Sequence, residues 1–319
     1  MPALRVPIVS FIRGVGNTDV PLPQLPGNKQ SVGYSDHQSE GLLEPRWDLT
    51  AEQHKVVEET QRHILDNVKW VQGTFAGVEM YLNLLPKGES GPKADQLPKF
   101  QVTSGGVMPT IMAQCVFGYV TLIARMLQEA KEFQNKREFA RMELVSYRSA
   151  SSVTVGILGL GNIGQGVGKM LRGAGYKVLG FKRHTSPVEA ANLAFCADRI
   201  TTDLDDVLAN RYLLIEKNLQ QCRERSPVFI NIGRGDAISE KTLVDALDAG
   251  ILSRAVLAVF EQEPLPRVSA LWSHPSVHLT PHVSGKVFPE NVGPVLLANF
   301  NHYLRGEPLE FAVDWTKGY

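Results

Sequence analysis

The chain has 319 residues, of which 43% are hydrophobic and 21% are charged, the composition of an ordinary globular protein. Its 33 basic and 33 acidic residues cancel, so charge does not support a nucleic-acid or anionic-membrane partner. The three cysteines, Cys115, Cys196 and Cys222, are widely spaced and form neither a metal-binding pattern nor a disulfide framework. We therefore expect a cytoplasmic protein that acts on small molecules and holds no metal.

The N-terminal third predicts a small first domain with few regular elements. Residues 1–13 are mildly basic and contain no acids, which leaves an organellar address open, although residues 6–12 also fit a buried strand. A helix is predicted over residues 50–65, and a strand and turn over 67–73 follow it directly. Another short strand is predicted over residues 100–103.

An apolar stretch without charge, residues 100–124, has the composition of a membrane span. Gly105, Gly106, Pro109 and Gln114 within it argue against a spanning helix and favour a buried one. The helical pattern runs over residues 109–141 and is expected to carry the chain into a second domain. The apolar helix over 111–127 also offers a surface for a homodimer.

The most informative stretch is residues 153–164, VTVGILGLGNIG, in which a buried-strand pattern leads into Gly-x-Gly-x-x-Gly. Such a strand, turn and helix bind the pyrophosphate of a dinucleotide, because backbone amides at the helix start meet the phosphates. An ordinary turn is the alternative, but apolar residues continue beyond it at helical spacing. The predicted dinucleotide contacts are Gly159, Gly161, Asn162, Ile163 and Gly164.

The end of the next predicted strand, residues 176–181, indicates which dinucleotide is bound. An NAD enzyme usually places an acid there to hold the ribose hydroxyls. This chain has Lys182 and Arg183 instead, and both can bind a 2′-phosphate. The pattern therefore favours NADP(H) over NAD(H), which stays an alternative cofactor. The alternative is that Lys182 and Arg183 are solvent-exposed basic residues at the end of a strand and take no part in cofactor binding.

Three later motifs, NIGRG at residues 231–235, VFEQEPLP at 259–266 and TPHVS at 280–284, are similar to those of the D-2-hydroxyacid dehydrogenase family. The likeness is strongest to its glyoxylate/hydroxypyruvate reductase-like branch and covers most of the chain from Val68 onward. It implies an α/β fold of two domains, a Rossmann-type doubly wound parallel sheet and a smaller flavodoxin-like substrate domain. We expect the substrate domain at 1–108, completed by 286–319, and the dinucleotide domain at 109–285.

The resemblance also implies the site residues. Arg234, Glu263 and His282 are catalytic, and the chemistry suits them. A histidine can protonate the alkoxide formed by hydride transfer, a carboxylate can orient the imidazole, and an arginine can polarise a 2-oxo acid. The remaining residues implied by the resemblance are the substrate-carboxylate loop Ala76, Gly77 and Val78 and the cofactor contacts Ile232 and Gly233. The function expected is NADPH-dependent reduction of small 2-oxo acids to 2-hydroxy acids.

Three departures from the family pattern concern activity. Ala258 stands where the family has an acid near the nicotinamide. The helical patterns around residues 210–213 leave almost no room for a strand, and the helix over 50–65 runs straight into the next strand. We therefore expect both domains to lack a strand, and this loss would impair activity. The alternatives to a reductase are a non-catalytic dinucleotide-binding regulator and a shortened inactive variant.

Overall fold

The computed structural model of the protein describes residues 69–74, 97, 100–203, 223–224 and 226–315. The chain divides into two compact units, Pro109–Lys286 on one hand and Met1–Met108 with Val287–Tyr319 on the other. The strand predicted at 6–12, the helix predicted at 50–65 and the predicted gap at 210–213 lie outside the described residues.

Two short parallel strands open the described part of the first unit. They are β1 (Trp70–Gln72) and β2 (Gln101–Thr103), and their register pairs Val71 with Val102. Both valines are buried, and Trp315 packs against them from the C-terminal segment. The two strands predicted in this region are confirmed, each shorter than its sequence pattern.

The helical stretch predicted over 109–141 is divided into three pieces. α1 (Met108–Ala124) ends before Met126, which has a left-handed φ of 54°, and α2 (Leu127–Lys136) and α3 (Arg141–Leu144) follow. The break has a physical reason, since α1 buries one apolar side whereas α2 is largely polar and buries no residue. Within the described ranges, no single helix is long and apolar enough to cross a membrane. α1 and α2 pass that test only as a pair bent by 57°.

The Gly-rich turn belongs to a three-stranded parallel sheet with the order β3-β4-β5. Its elements along the chain are β3 (Thr154–Leu158), α4 (Asn162–Gly173), β4 (Lys177–Phe181), α5 (Pro187–Asn192) and β5 (Arg199–Thr201). The strands predicted at 153–158 and 176–181 and the helix predicted from Asn162 are confirmed. The buried core here includes Val155, Ile157, Leu160, Val167, Leu171 and Val178.

The second half of the same unit is another three-stranded parallel sheet, with the order β6-β7-β8. It contains β6 (Val228–Asn231), α6 (Glu240–Asp248), β7 (Arg254–Leu257) and β8 (Val277–Leu279). The Ser239 hydroxyl caps α6 by accepting a hydrogen bond from the Thr242 amide. Its core includes Phe229, Leu243, Leu247, Ala255, Leu257 and Leu271.

The two three-stranded sheets of this unit, β3-β4-β5 and β6-β7-β8, share apolar packing. Ile230 and Ile232 of the second half pack against the core of the first half. Across the described residues the two sheets are separate hydrogen-bonded ladders, and residues 202–227 connect β5 to β6 in the sequence. The parallel α/β class that we predicted is confirmed.

The C-terminal helix α7 (Pro289–Arg305) belongs to the first unit. Its Phe300 joins a small core with Trp70. The fully buried Asn299 amide donates hydrogen bonds of 3.0 Å to the Gln72 side-chain oxygen and to the Glu310 carbonyl, and its oxygen accepts one of 2.7 Å from the Glu310 amide. A buried polar network therefore fastens the C-terminal segment to β1.

Candidate functional site

The Gly-rich turn has the geometry that a pyrophosphate requires. Gly159 has a φ of 98°, in the left-handed region that favours glycine. A Cβ on Gly164 would overlap the Gly159 carbonyl oxygen, so glycine is needed where α4 packs on the end of β3. No side chain caps α4 at Gly161, which leaves the amides of its first turn available for a phosphate. These residues fit a dinucleotide.

The end of β4 lies directly beside this turn. The Gly159 and Leu160 amides donate hydrogen bonds of 3.1 and 3.3 Å to the Phe181 carbonyl. Lys182 and Arg183 come next in the chain, so the two predicted phosphate-binding cations stand next to the dinucleotide turn. Arg183 is exposed, as the prediction requires.

Lys182 has a partner that the sequence did not reveal. Its ammonium forms an ion pair with the Glu189 carboxylate from the first turn of α5. The hydrogen bond from Lys182 is the largest cause of a lowered pKa of Glu189. The sequence therefore identified both cations but missed the acid that pairs with one of them.

The turn after β6 carries Arg234 and is held by the side chain of Asn231. The Asn231 oxygen accepts a 3.0 Å hydrogen bond from the Gly233 amide, and its nitrogen donates one of 2.8 Å to the Arg234 carbonyl. A Cβ on Gly235 would overlap the backbone of Phe260, so this turn lies against the loop after β7. Sequence reasoning missed Asn231, although asparagine two residues before a glycine is a known turn signal.

Glu263 and His282 are in direct contact. The imidazole Nδ1 donates a 2.7 Å hydrogen bond to one carboxylate oxygen of Glu263, and the other oxygen accepts a 3.0 Å bond from the Phe260 amide. The histidine side chain is 64% exposed and the glutamate side chain 35%. The carboxylate is thus anchored by the backbone, while the imidazole remains open to solvent and to a substrate.

Ala258 holds the backbone of His282 in place. His282 has a left-handed φ of 53°, and its amide donates hydrogen bonds of 3.0 Å to the Ala258 carbonyl and 2.9 Å to the Thr280 carbonyl. The Ala258 amide in turn donates a 2.9 Å bond to the Asn231 carbonyl. Ala258 is buried, with 1% exposure, and connects the backbones of the Arg234 turn and the His282 loop.

The three predicted catalytic residues follow the carboxyl ends of three neighbouring parallel strands. Arg234 follows β6, Glu263 follows β7 and His282 follows β8. The carboxyl ends of parallel strands meet at one edge of a sheet, where α/β proteins bind their ligands. The structure therefore brings Glu263 and His282 into contact and places Arg234 at the same edge.

Two other groups of predicted residues have different outcomes. Ala76, Gly77 and Val78 lie outside the described residues. Ile232 packs against the buried core around β3, β4 and α4, and Gly233 forms part of the turn whose backbone Asn231 hydrogen-bonds. In the part of the chain that the structure describes, no group of three or more His, Cys, Asp or Glu could hold a metal ion.

A polar cluster lies on the face of β7 and β8. Arg254 forms a 2.8 Å ion pair with Glu129 of α2. His278, on the neighbouring strand, has a pKa lowered chiefly by burial and further by the charge of Arg254, while Glu129 acts in the opposite direction. The imidazole of His278 is therefore favoured in its neutral form.

Comparison with known proteins identifies the family. Residues 117–284, more than half of the chain, match the family model described as D-isomer specific 2-hydroxyacid dehydrogenase, NAD binding domain. The chain belongs to this family. The predicted resemblance is confirmed, and the matched range of this dehydrogenase contains the glycine turn, Arg234, Glu263 and His282.

Named relatives of this D-2-hydroxyacid dehydrogenase agree with the predicted branch. Glyoxylate/hydroxypyruvate reductase A of Enterobacter sp. (strain 638) is 26% identical over 263 residues, which cover 79% of this chain and 82% of that protein. The D-isomer specific 2-hydroxyacid dehydrogenase of Xanthobacter autotrophicus Py2, solved with NADPH and MES, has a TM-score of 0.65 and 27% identity, with 80% of each chain covered.

A third relative was also solved with a dinucleotide. The NADPH-dependent glyoxylate/hydroxypyruvate reductase of Sinorhizobium meliloti, in complex with NADP and sulfate, has a TM-score of 0.65 and 28% identity. The match covers 79% of this chain and 81% of that one. The family fold thus extends over most of both proteins.

Proposed function

We propose that this D-2-hydroxyacid dehydrogenase is an NADPH-dependent reductase that converts small 2-oxo acids, of the glyoxylate and hydroxypyruvate type, into 2-hydroxy acids. The observation that carries the proposal is the 2.7 Å hydrogen bond between His282 and Glu263 at the ligand-binding edge of the sheet. A protein that only bound a dinucleotide would not need an imidazole held by an anchored carboxylate. The regulator alternative therefore has less support.

Three residues of the chain, His282, Glu263 and Arg234, supply the proton, orient its donor and bind the substrate. NADPH, when bound, supplies the hydride for the carbonyl carbon. His282 gives a proton to the carbonyl oxygen as negative charge develops there. Glu263 keeps the ring oriented through Nδ1, so that Nε2 is the nitrogen that faces the reaction. Arg234 binds the substrate carboxylate or the carbonyl oxygen and stabilises that charge.

The two parts of the chain have separate roles in this proposal. Residues 1–108, completed by 286–319, form the substrate domain, whose loop at Ala76, Gly77 and Val78 binds the substrate carboxylate through backbone amides. Residues 109–285 form the dinucleotide domain. There the cofactor is held by the glycine turn and by the backbone around Ile232 and Gly233.

NADP(H) is the preferred cofactor in this proposal, and NAD(H) binds more weakly. Two solved relatives contain NADPH or NADP. In this chain, the exposed Arg183 beside the glycine turn offers a guanidinium to a 2′-phosphate, and no acid of the NAD type follows β4.

The protein is further proposed to act in the cytoplasm as a homodimer. The helix over 111–127, expected to form the dimer surface, buries Met112, Ala113, Val116 and Val120 within the chain, whereas several large apolar side chains after α1 are exposed, with 96% for Phe139, 75% for Met142 and 61% for Val145. A second copy of the chain would remove this apolar surface from water. The molecular mass in solution, measured by light scattering, tests the dimer.

The function is tested by steady-state kinetics with purified protein. NADPH and NADH are each supplied with glyoxylate, hydroxypyruvate and pyruvate, and absorbance at the nicotinamide band is followed. We expect NADPH oxidation with glyoxylate or hydroxypyruvate at a higher kcat/KM than with NADH. NADPH binding without oxidation would favour the regulator, and the lack of a cooperative melt would favour an inactive variant.

A further inference from the structure

Glu189 lies in the first turn of α5, just after β4. Its carboxylate forms an ion pair with the Lys182 ammonium, which is the largest cause of its lowered pKa. The Lys182 side chain is 28% exposed and the Glu189 side chain 43%. A predicted phosphate-binding cation is thus already paired with an internal anion.

Part of this arrangement is an ordinary helix cap. The Ser186 hydroxyl accepts a 3.2 Å hydrogen bond from the Glu189 amide, and the Ser186 amide contributes to the lowered pKa of Glu189, the residue pattern of a capping box. A capping box accounts for the contact between Glu189 and Ser186. It does not require Lys182, which lies seven residues before Glu189.

The position of Lys182 makes this ion pair relevant to the cofactor. The Phe181 carbonyl accepts hydrogen bonds from the first two residues of the glycine turn, so Lys182 and Arg183 follow directly beside the proposed dinucleotide site. A 2′-phosphate bound there would be attracted by both cations. Since Lys182 is already paired, a phosphate must compete with the Glu189 carboxylate for it.

We propose that Glu189 determines cofactor specificity by competing with the 2′-phosphate of NADP(H) for Lys182, which weakens the preference for NADP(H) over NAD(H). This inference rests on the proposed function, because it requires a dinucleotide beside the glycine turn. It concerns a residue outside the catalytic set. NAD(H), which has no 2′-phosphate, does not need Lys182 and is indifferent to the competition.

The decisive variant is Glu189→Gln, because glutamine serves a capping box as well as glutamate does but carries no charge. NADP⁺ and NAD⁺ are titrated separately into the full-length protein by isothermal calorimetry. We expect Glu189→Gln to bind NADP⁺ roughly twofold to fivefold more tightly, the range for an exposed ion pair, with NAD⁺ affinity unchanged. Glu138→Gln, which removes an exposed acid from the segment after α2, is the matched control for net charge and should change neither affinity.

A double-mutant cycle identifies the shared partner. If the competition is for Lys182, Glu189→Gln should have no effect on NADP⁺ binding in a Lys182→Ala background. An equal gain in both backgrounds would overturn the inference, since Glu189 would then act by direct repulsion. Unchanged or weaker NADP⁺ binding by Glu189→Gln would overturn it as well. If the unmodified protein bound neither dinucleotide, the proposed function would fail together with the inference.

Discussion

Replacing Glu263 by glutamine isolates the charge of the carboxylate that orients His282. Glutamine is nearly the same size but has a single acceptor oxygen, so it can keep the bond from the Phe260 amide while its amide nitrogen faces the His282 ring. The imidazole therefore loses its charged acceptor, while the side chain at position 263 keeps its volume and its backbone anchor. Replacing His282 by alanine instead removes the proton donor.

The size of each effect follows from the geometry. A hydrogen bond to a charged group contributes about 1.5–3 kcal/mol and a neutral one about 0.5–1.5 kcal/mol. Because the His282 and Glu263 side chains are 64% and 35% exposed, solvent screening reduces the difference. A loss of about 0.5–1 kcal/mol lowers kcat roughly twofold to fivefold for Glu263→Gln. Loss of a general acid lowers kcat roughly a hundredfold or more for His282→Ala.

Both variants are assayed with NADPH and glyoxylate under saturating conditions. The exposed Glu261, two residues from Glu263, provides the control variant Glu261→Gln, which should retain the kcat of the unmodified protein. Circular dichroism confirms that each variant is folded. A His282→Ala protein with near-full kcat, or a Glu263→Gln protein as impaired as His282→Ala, would refute the assigned roles.

Three further predictions concern the cofactor, pH and the sheet. Arg183→Asp should weaken NADPH binding much more than NADH binding in fluorescence titrations, and equal losses would contradict a phosphate contact. Since burial and the charge of Arg254 lower the pKa of His278, the unfolded chain takes up a proton there more readily than the folded protein. The free energy of unfolding should then fall as the pH drops below about 6.5. His278→Gln should flatten that dependence in urea melts, and an identical slope would exclude His278 as the cause. Inserting a relative's strand and loop between Asn210 and Arg211 should raise both the melting temperature and the NADPH affinity. No change in either would mean that the sheet is already complete there.

Local patterns in the sequence predicted the strand, turn and helix around Gly159 well. The strand before Gly159, the turn and the start of α4 are neighbours in the chain, so their residue types already contain the interactions that form them. The strand that ends before Lys182 was equally predictable from its local sequence pattern. The direct contact between Glu263 and His282 could be expected only through the family resemblance, because the two residues belong to different strands.

Features that depend on packing between elements were not predictable. Met126, whose left-handed φ divides the helical stretch, is neither glycine nor asparagine, the residue types that usually signal this conformation. The pairing of Lys182 with Glu189 requires α5 to pack near the end of β4, which no short motif encodes. Ala258 acts through its backbone, so the residue type gives no sign that it holds His282.

The hydrogen bond between Asn299 and Gln72 joins residues 227 positions apart. During synthesis, Trp70 and Gln72 leave the ribosome long before the segment that covers them, and the entire Pro109–Lys286 unit is translated in between. The dinucleotide unit can therefore fold while β1 and β2 still lack Phe300, Leu309 and Asn299. The nascent protein would pass through a stage in which its earliest described strands are exposed to chaperones and proteases, and this stage would end only once Asn299, Phe300 and Leu309 have been translated.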